Sequence, residues 1–199
     1  MRKIVAVSGS YRKGGTVEQA VEAVLAGARE KGAETRTIHL REQHIEFCTN
    51  CRGCMQTDGE ARGRCLQEDD LEPMLKDIDS ADAIVLASPV NCYNVTAIFR
   101  RWMERMVGSY FWPWGMEAPK PRRKKLTRKA VLIASSAMPG FLIPVATGAA
   151  RALRLTAGIL GAKAAGEMWL GLVARKPQYE LTERQRERAR RLGWKLAEG

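Results

Sequence analysis

Lys3-Ile4-Val5-Ala6-Val7-Ser8-Gly9-Ser10-Tyr11-Arg12-Lys13-Gly14-Gly15-Thr16 runs from a short apolar segment straight into a loop of small, hydroxyl and basic residues. The apolar part lacks the polar alternation of a half-exposed strand, so residues 3–8 read as a strand buried on both faces. Behind the loop, Val17, Ala20, Val21, Val24, Leu25 and Ala28 recur at helical spacing until Gly32, and Thr16 with Gln19 has the form of a capping box. Strand, glycine-rich turn and amphipathic helix are the first half of a βαβ unit.

The same alternation continues downstream. Residues 34–40 form a weaker strand, a long cysteine-bearing loop follows, and residues 71–79 read as a short helix. Residues 83–88 are a second strongly apolar strand stopped by Pro89, and residues 95–107 return to helical spacing through Ile98, Phe99, Trp102, Met103 and Met106. Residues 130–135 read as a buried strand and residues 145–160 as a helix beyond the Met138-Pro139-Gly140 turn. Residues 167–173 are the final strand, and 182–196 a last helix opened by a Thr182/Gln185 box.

Five β/α alternations require a parallel sheet covered on both faces, because each right-handed crossover needs a helix to return the chain. The expectation is a flavodoxin-like, doubly wound α/β fold with a five-stranded parallel sheet of order 2-1-3-4-5. Residues 1–199 would form one domain, with a cysteine-rich loop at 48–65. Ligands of such sheets bind beyond the strands' carboxyl ends, at the switch point between strands one and three. The loops after Ser8, Leu40, Ser88 and Ser135 should therefore meet.

Composition agrees with a folded protein. The 199 residues are 45% hydrophobic and 28% charged, enough to build a core and too apolar for a disordered chain. Met1-Arg2-Lys3 leads into an apolar run too short for a signal peptide. Residues 130–150 carry no charge, but Ser135-Ser136, Pro139-Gly140 and Pro144 interrupt them, so no membrane span is expected. A soluble, cytoplasmic protein is the expectation.

The net charge of +11 raises nucleic-acid binding. Much of it sits in residues 119–129, with Lys120, Arg122, Arg123, Lys124, Lys125, Arg128 and Lys129, and in the last helix, where arginines mix with Glu183 and Glu187. No DNA or RNA module surrounds either group, and both read as solvated surface. No nucleic-acid partner is expected.

The loop at residues 8–16 ends at a helix N-terminus, whose amides and partial positive charge suit an anion. It lacks the Gly-Lys-Ser/Thr of a Walker loop and the G-x-G-x-x-G of a dinucleotide site. What remains is a hydroxyl-lined loop suited to a terminal phosphate monoester, with Ser8, Ser10, Thr16, backbone amides and Arg12 as donors. Flavin mononucleotide (FMN) carries such a group.

Four of the five cysteines fall in one window: Cys48, Cys51 and Cys54 are spaced C-x2-C-x2-C, and Cys65 follows. Soft thiolates favour an iron–sulfur cluster or zinc over hard cations. Zinc sites come more often as two separated C-x2-C pairs. Iron–sulfur therefore leads, with zinc and structural or redox thiols as alternatives. Cys92 stands apart and reads as a packed thiol. The aromatic segment Tyr110-Phe111-Trp112-Pro113-Trp114-Gly115-Met116 suits either a cover over a cofactor or a subunit contact. His39 and His44, the two histidines, have no evident nucleophile partner, which argues against a hydrolytic triad.

Gly9-Ser10-Tyr11-Arg12-Lys13-Gly14-Gly15-Thr16 resembles the G-S-P-R-x-x-G-x-T loop of the NAD(P)H-dependent FMN reductases, with Tyr for Pro and one residue fewer. Ser88-Pro89-Val90-Asn91-Cys92-Tyr93-Asn94-Val95-Thr96-Ala97, continuing to Glu104-Arg105, resembles their flavin-ring loop and following helix. Ser135-Ser136-Ala137-Met138-Pro139-Gly140 falls where the family places a third flavin loop. The cysteine segment, with Glu68-Asp69-Asp70 after it, resembles the iron-sulfur flavoprotein branch, although Gly59-Glu60-Ala61-Arg62-Gly63 lengthens the gap before the last cysteine.

The resemblance implies FMN, with Ser8, Ser10, Arg12, Gly15 and Thr16 around the phosphate. Pro89, Val90, Asn91, Tyr93 and Asn94 would flank the ring, and Ser135, Ser136, Pro139 and Gly140 would complete the pocket. Relatives commonly carry an aromatic at position 91 and a glycine near 93, so Asn91 and Tyr93 are departures. It also implies a 4Fe-4S cluster on Cys48, Cys51, Cys54 and Cys65, NAD(P)H as co-substrate, and a homodimer or homotetramer. Electrons would pass to a redox protein or quinone-like acceptor, and the flavin, not a catalytic side chain, would carry the chemistry. The rival readings are a non-enzymatic electron carrier and a basic zinc-binding interaction protein.

Overall fold

The apolar runs become strands in which neighbouring residues serve opposite cores. A computed structural model describes residues 1–59, 61–123, 125–176 and 178–198, so Glu60 of the cysteine loop and Lys124 of the basic stretch lie outside the described residues. In chain order the elements are β1 (Lys3–Ser8), α1 (Thr16–Glu30), β2 (Glu34–His39), α2 (Leu71–Asp79), β3 (Ala83–Asn91), β4 (Asn94–Val95) and α3 (Ala97–Glu104). There follow β5 (Tyr110–Phe111), β6 (Lys120–Pro121), β7 (Arg128–Ser135), α4 (Ile143–Ala146), α5 (Ala149–Ile159), β8 (Ala162–Leu170) and α6 (Glu183–Ala197). Five strands pair in parallel in the order β2-β1-β3-β7-β8, which is 2-1-3-4-5 when those five are counted alone. The fold is flavodoxin-like, as the periodicity predicts.

Within β1, Ile4 and Ala6 pack with α1 and α6, whereas Val5 and Val7 pack with α2, α3 and α5 on the other face. Phe99 and Trp102 of α3 anchor that second core, fully buried and edge-to-face with ring centroids 5.2 Å apart. Such a pair adds about 0.5–1.5 kcal/mol beyond its burial.

Departures from the expected boundaries have local causes. β8 begins at Ala162 rather than 167 because its first half is largely exposed at the sheet edge, with a register irregularity opposite Ala130/Val131, and so lacks an apolar run. The helix expected over 145–160 is two helices, since Thr147 is extended and its hydroxyl donates to Ile143 O while accepting from Ala149 N. The Thr182/Gln185 capping box opens α6 as expected. The Thr16/Gln19 box does not form: Gly15 is the N-cap, Thr16 already lies inside the helix, and Gln19 bonds instead to Gly14 O, Tyr179 O and Leu181 N. Among the described residues, no helix is long and apolar enough to cross a membrane.

The basic stretch is less solvated than expected. Arg122 is buried and donates to the carbonyls of Gly108, Gly59, Thr57 and Cys54. Arg123 and Arg128 both reach Leu160 O, and Arg128 also reaches Ile78 O. Arg122 thus fastens the cysteine loop to the segment after α3, while Arg123 and Arg128 tie their stretch to the ends of α2 and α5.

Candidate functional site

The loop between β1 and α1 is closed by its own hydroxyls. Ser8 and Ser10 are buried; Ser10 Oγ accepts from Arg12 N at 3.2 Å and donates to Arg12 O at 3.1 Å. Gly15 has no side chain to cap α1, so the first-turn amides are left for a ligand. Glu18, in that same turn, would repel an anion, but it accepts from Gly14 N and pairs with Arg41. Burial works against the Arg41 charge, yet hydrogen bonds and charges from Glu18 and Glu42 outweigh it and hold the guanidinium above its usual pKa. Arg41 also donates to Ser10 O at 3.3 Å, tying the loop after β2 to this one.

Beyond Pro89, β3 turns back on itself as a hairpin with β4, pairing Val90 with Val95 and Asn91 with Asn94. The two residues left in the turn, Cys92 and Tyr93, have φ of 46° and 60°, as a type I′ turn demands. Neither is glycine, which costs on the order of 1–3 kcal/mol each. Tyr93 thus holds the conformation that a glycine there adopts freely. Gly148 N donates to Tyr93 O at 2.8 Å, and a Cβ on Gly148 would come within 2.8 Å of Asn94 Nδ2, so the hairpin is braced by the start of α5. Cys92 is exposed at the tip, contrary to the packed thiol expected, because the turn points it away from both cores.

Thr96 joins these loops and was not among the residues singled out for the site. Fully buried, it caps α3 by accepting from Phe99 N, donates to Gly9 O at 2.7 Å, and its amide donates to Ser88 Oγ at 3.1 Å. Gly9 is held so close that a Cβ would lie 2.9 Å from Phe99 Cβ and 3.0 Å from Thr96 Oγ1. Tyr11 adds a second link, its hydroxyl accepting from Ile98 N at 3.3 Å. The sequence signal for Thr96 is a Ser/Thr one residue before a helical run.

The third loop lies alongside. Ser135 is register neighbour to Pro89, and Ser136 is buried with its hydroxyl accepting from Met138 N. Pro139 and Gly140 pack against the end of β8, where a Cβ on Gly140 would lie 2.4 Å from Trp169 O. The phosphate-loop, hairpin and third-loop candidates thus share the carboxyl edge of the sheet.

The cysteine loop leaves the same edge after β2 and is bonded by Arg105 at the end of α3. Cys48, Cys54 and Cys65 are half-buried and Cys51 is exposed, all with free thiols. Asn50 and Arg52 take left-handed backbone angles, φ 55° and 58°, which curl the segment as in the amide nests that hold anions. The Gly53 amide, helped by the Thr49 hydroxyl, lowers the pKa of the Cys51 thiol. Burial pushes the Cys54 thiol up, and the nearby Cys65, Cys48 and Cys51 add to that shift, so the four thiols share one electrostatic neighbourhood.

Long-range pairs bring Cys65 there despite the lengthened gap. Arg62 grips Glu72 through two 2.9 Å bonds, and Glu72 accepts from Cys65 N at 3.3 Å. Arg105 and Asp69 form an ion pair with both side chains fully buried, and Arg105 Nη2 donates to Cys65 Sγ at 3.3 Å. Burial would raise the Asp69 pKa, but Arg105 and the amides of Glu46 and Leu71 hold it below the usual range. The aromatic segment packs on this loop: Arg52 sits 4.0 Å from the Trp112 ring centroid and 4.2 Å from that of Trp114, and Trp112 N donates to Met55 O.

Both expected groups fit the residues present. The uncapped helix start beside buried hydroxyls suits a phosphate monoester. Among the described residues no three His, Cys, Asp or Glu side chains are arranged to hold a single metal ion. A cubane cluster is wider than one ion and takes its thiolates farther apart. Soft thiols, a curled amide segment and the buried Arg105, whose Nε has no acceptor, suit such an anionic group. His39 and His44 each lie 3.0 Å from a carboxylate, of Glu18 and Glu46.

Comparison with known proteins agrees with this geometry. The model of a family described as NADPH-dependent FMN reductase matches residues 2–172. An iron-sulfur flavoprotein of Archaeoglobus fulgidus is 34% identical over 105 residues, 53% of this chain and 46% of that protein. One of Methanosarcina thermophila is 32% identical over 105 residues, 53% and 52% of the two chains. The matched stretch thus spans about half the length of these curated relatives. In fold, an NAD(P)H:quinone oxidoreductase from Methanothermobacter marburgensis superposes over 98% of both chains with a TM-score of 0.71 at 23% identity. An FMN-dependent NADH-azoreductase from Bacillus anthracis, solved in complex with FMN, gives 0.70 over 98% of this chain and 100% of that one at 11% identity. With the match covering β1 through the loop after β8, the chain belongs to the NADPH-dependent FMN reductase family, and within it resembles the iron-sulfur flavoproteins.

Proposed function

We propose that this protein binds FMN at the carboxyl edge of its sheet, oxidises NAD(P)H there, and passes the electrons to a protein or quinone-like acceptor through a 4Fe-4S cluster on Cys48, Cys51, Cys54 and Cys65. The observation that carries the reading is the uncapped start of α1, set in a loop of buried hydroxyls and tied by Thr96 to the Pro89–Asn94 hairpin. Ser8, Ser10, Arg12, Gly15 and Thr16 hold the phosphate through amides, hydroxyls and one guanidinium. Pro89 and Val90 offer apolar contact to the ring and Asn91, Tyr93 and Asn94 its polar rim, with Ser135, Ser136, Pro139 and Gly140 as the third wall.

FMN held by these loops would supply two-electron hydride chemistry with the nicotinamide, and a cluster held by the four cysteines would supply one-electron transfer. The chain's own groups position and shield these cofactors, and hydride transfer needs no side-chain base. The iron-sulfur flavoproteins among its relatives support the cluster, and the four-thiol neighbourhood supports its ligands. The chain is proposed to work as one flavodoxin-like domain in a homodimer or homotetramer.

Anaerobic purification followed by an absorption spectrum, iron and sulfide assays, and NADH and NADPH oxidation with quinone and one-electron acceptors tests this. Expected are a flavin spectrum over a broad cluster absorption, iron and sulfide in equal amounts, and turnover. Flavin without turnover on any acceptor would make the protein a carrier; zinc without flavin would overturn the proposal.

A further inference from the structure

Arg105 is the residue where the two halves of the site touch. It follows directly on α3, whose other end is capped by Thr96, so one short helix connects the hairpin to the cysteine loop. Its guanidinium is occupied on three sides: Nη1 donates to Asp69 Oδ2 at 2.5 Å and to Glu46 O at 2.7 Å, and Nη2 donates to Cys65 Sγ at 3.3 Å. Asp69 is itself fixed by accepting from Glu46 N and Leu71 N. The Arg105 and Asp69 side chains are 0% exposed. Among the described residues Arg105 brings a cationic N–H donor to one of the four sulfurs, that of Cys65, whereas Thr49 offers Cys51 a neutral hydroxyl.

We infer that Arg105 is a positioning residue for the fourth thiolate, and that its N–H···S bond to Cys65 sets the one-electron reduction potential of the cluster. This rests on the cluster reading proposed above. Reduction adds one electron to the cluster, with no bond formed or broken, and the added negative charge spreads onto the thiolate sulfurs. A cationic donor at one of those sulfurs stabilises the reduced form more than the oxidised form, so it raises the potential. Burial removes the water that would otherwise mask the effect. Asp69 offsets part of the positive charge but holds the guanidinium aimed at Cys65. A purely structural Arg105 would fix the loop and leave the potential alone.

The test is a redox titration of the holoprotein followed by electron paramagnetic resonance, after iron and sulfide assays on the wild type. A wild type without iron brings down the cluster reading, and this inference with it, before any variant is made. Given a loaded wild type, the paired variant Arg105→Gln with Asp69→Asn removes the buried charges together. It is expected to keep its iron while the reduction equilibrium shifts about tenfold toward the oxidised form, which is 59 mV for a one-electron couple. Arg105→Lys, which retains a cationic donor, is expected to recover part of that shift. An unchanged potential in an iron-loaded paired variant overturns the inference. Where the variants lose iron, wild-type protein labelled with 15N-arginine supplies the second readout: a nitrogen coupling to the reduced cluster is expected, and its absence overturns the inference.

Discussion

The phosphate loop and the cysteine loop lie at one edge of the sheet but are built by opposite means. The turn within residues 8–16 is closed by neighbours in sequence, Ser10 onto Arg12 with Gly15 leaving α1 uncapped, and neutral hydroxyl contacts from Thr96 and Tyr11 and one Arg41 bond then dock it to the other loops. The cysteine loop is shaped from far away, by Arg105 and Arg122 reaching in from beyond α3 and by Glu72 reaching back from α2. A locally built loop tolerates loss of one contact. A loop held by buried charge does not, because a surviving partner is left desolvated and unpaired.

That contrast can be broken most easily at Asp69. Asp69→Ala strands the Arg105 guanidinium and frees two backbone amides, and is expected to cost about 3–5 kcal/mol in urea denaturation. Ser10→Ala, on the phosphate side, should cost about 1 kcal/mol; equal losses at the two positions would erase the distinction. Gly9→Ala places a methyl 2.9 Å from Phe99 Cβ, with an expected loss of about 1–3 kcal/mol and weaker FMN binding by fluorescence titration. Thr96→Ala removes the α3 cap and the Gly9 tie, for about 0.5–2 kcal/mol, whereas Thr96→Ser should stay near wild type. The smallest stability effect belongs to exposed Arg12: Arg12→Ala should leave the melting temperature of the flavin-free protein unchanged. It should weaken FMN about tenfold, or 1.4 kcal/mol, and reduce the salt dependence of binding.

The same contrast explains what the sequence made legible. β1, the loop and α1 could be read because their signals are local: an apolar run, small residues, helical spacing. α2 over residues 71–79 was readable for the same reason. The exposed first half of β8 gave no apolar signal, and the break between α4 and α5 falls at Thr147-Gly148 within an apolar stretch whose spacing reads as one continuous helix. Arg105 and Arg122 were invisible as site residues, since a buried arginine is spelled like a solvated one and only tertiary packing reveals its partner. Thr96 stood in a recognised motif, yet its bond to Gly9 spans a distance in sequence that no periodicity records.

The central claim is that the start of α1 and its hydroxyl loop hold the terminal phosphate of FMN. Fluorescence-quenching titrations of flavin-free protein with FMN and with riboflavin, which differ by that phosphate alone, test it most directly. The account predicts saturable FMN quenching with affinity about a hundredfold or more above that for riboflavin, a gap of about 2.7 kcal/mol. Equal affinity for the two, or no quenching by FMN, would contradict it.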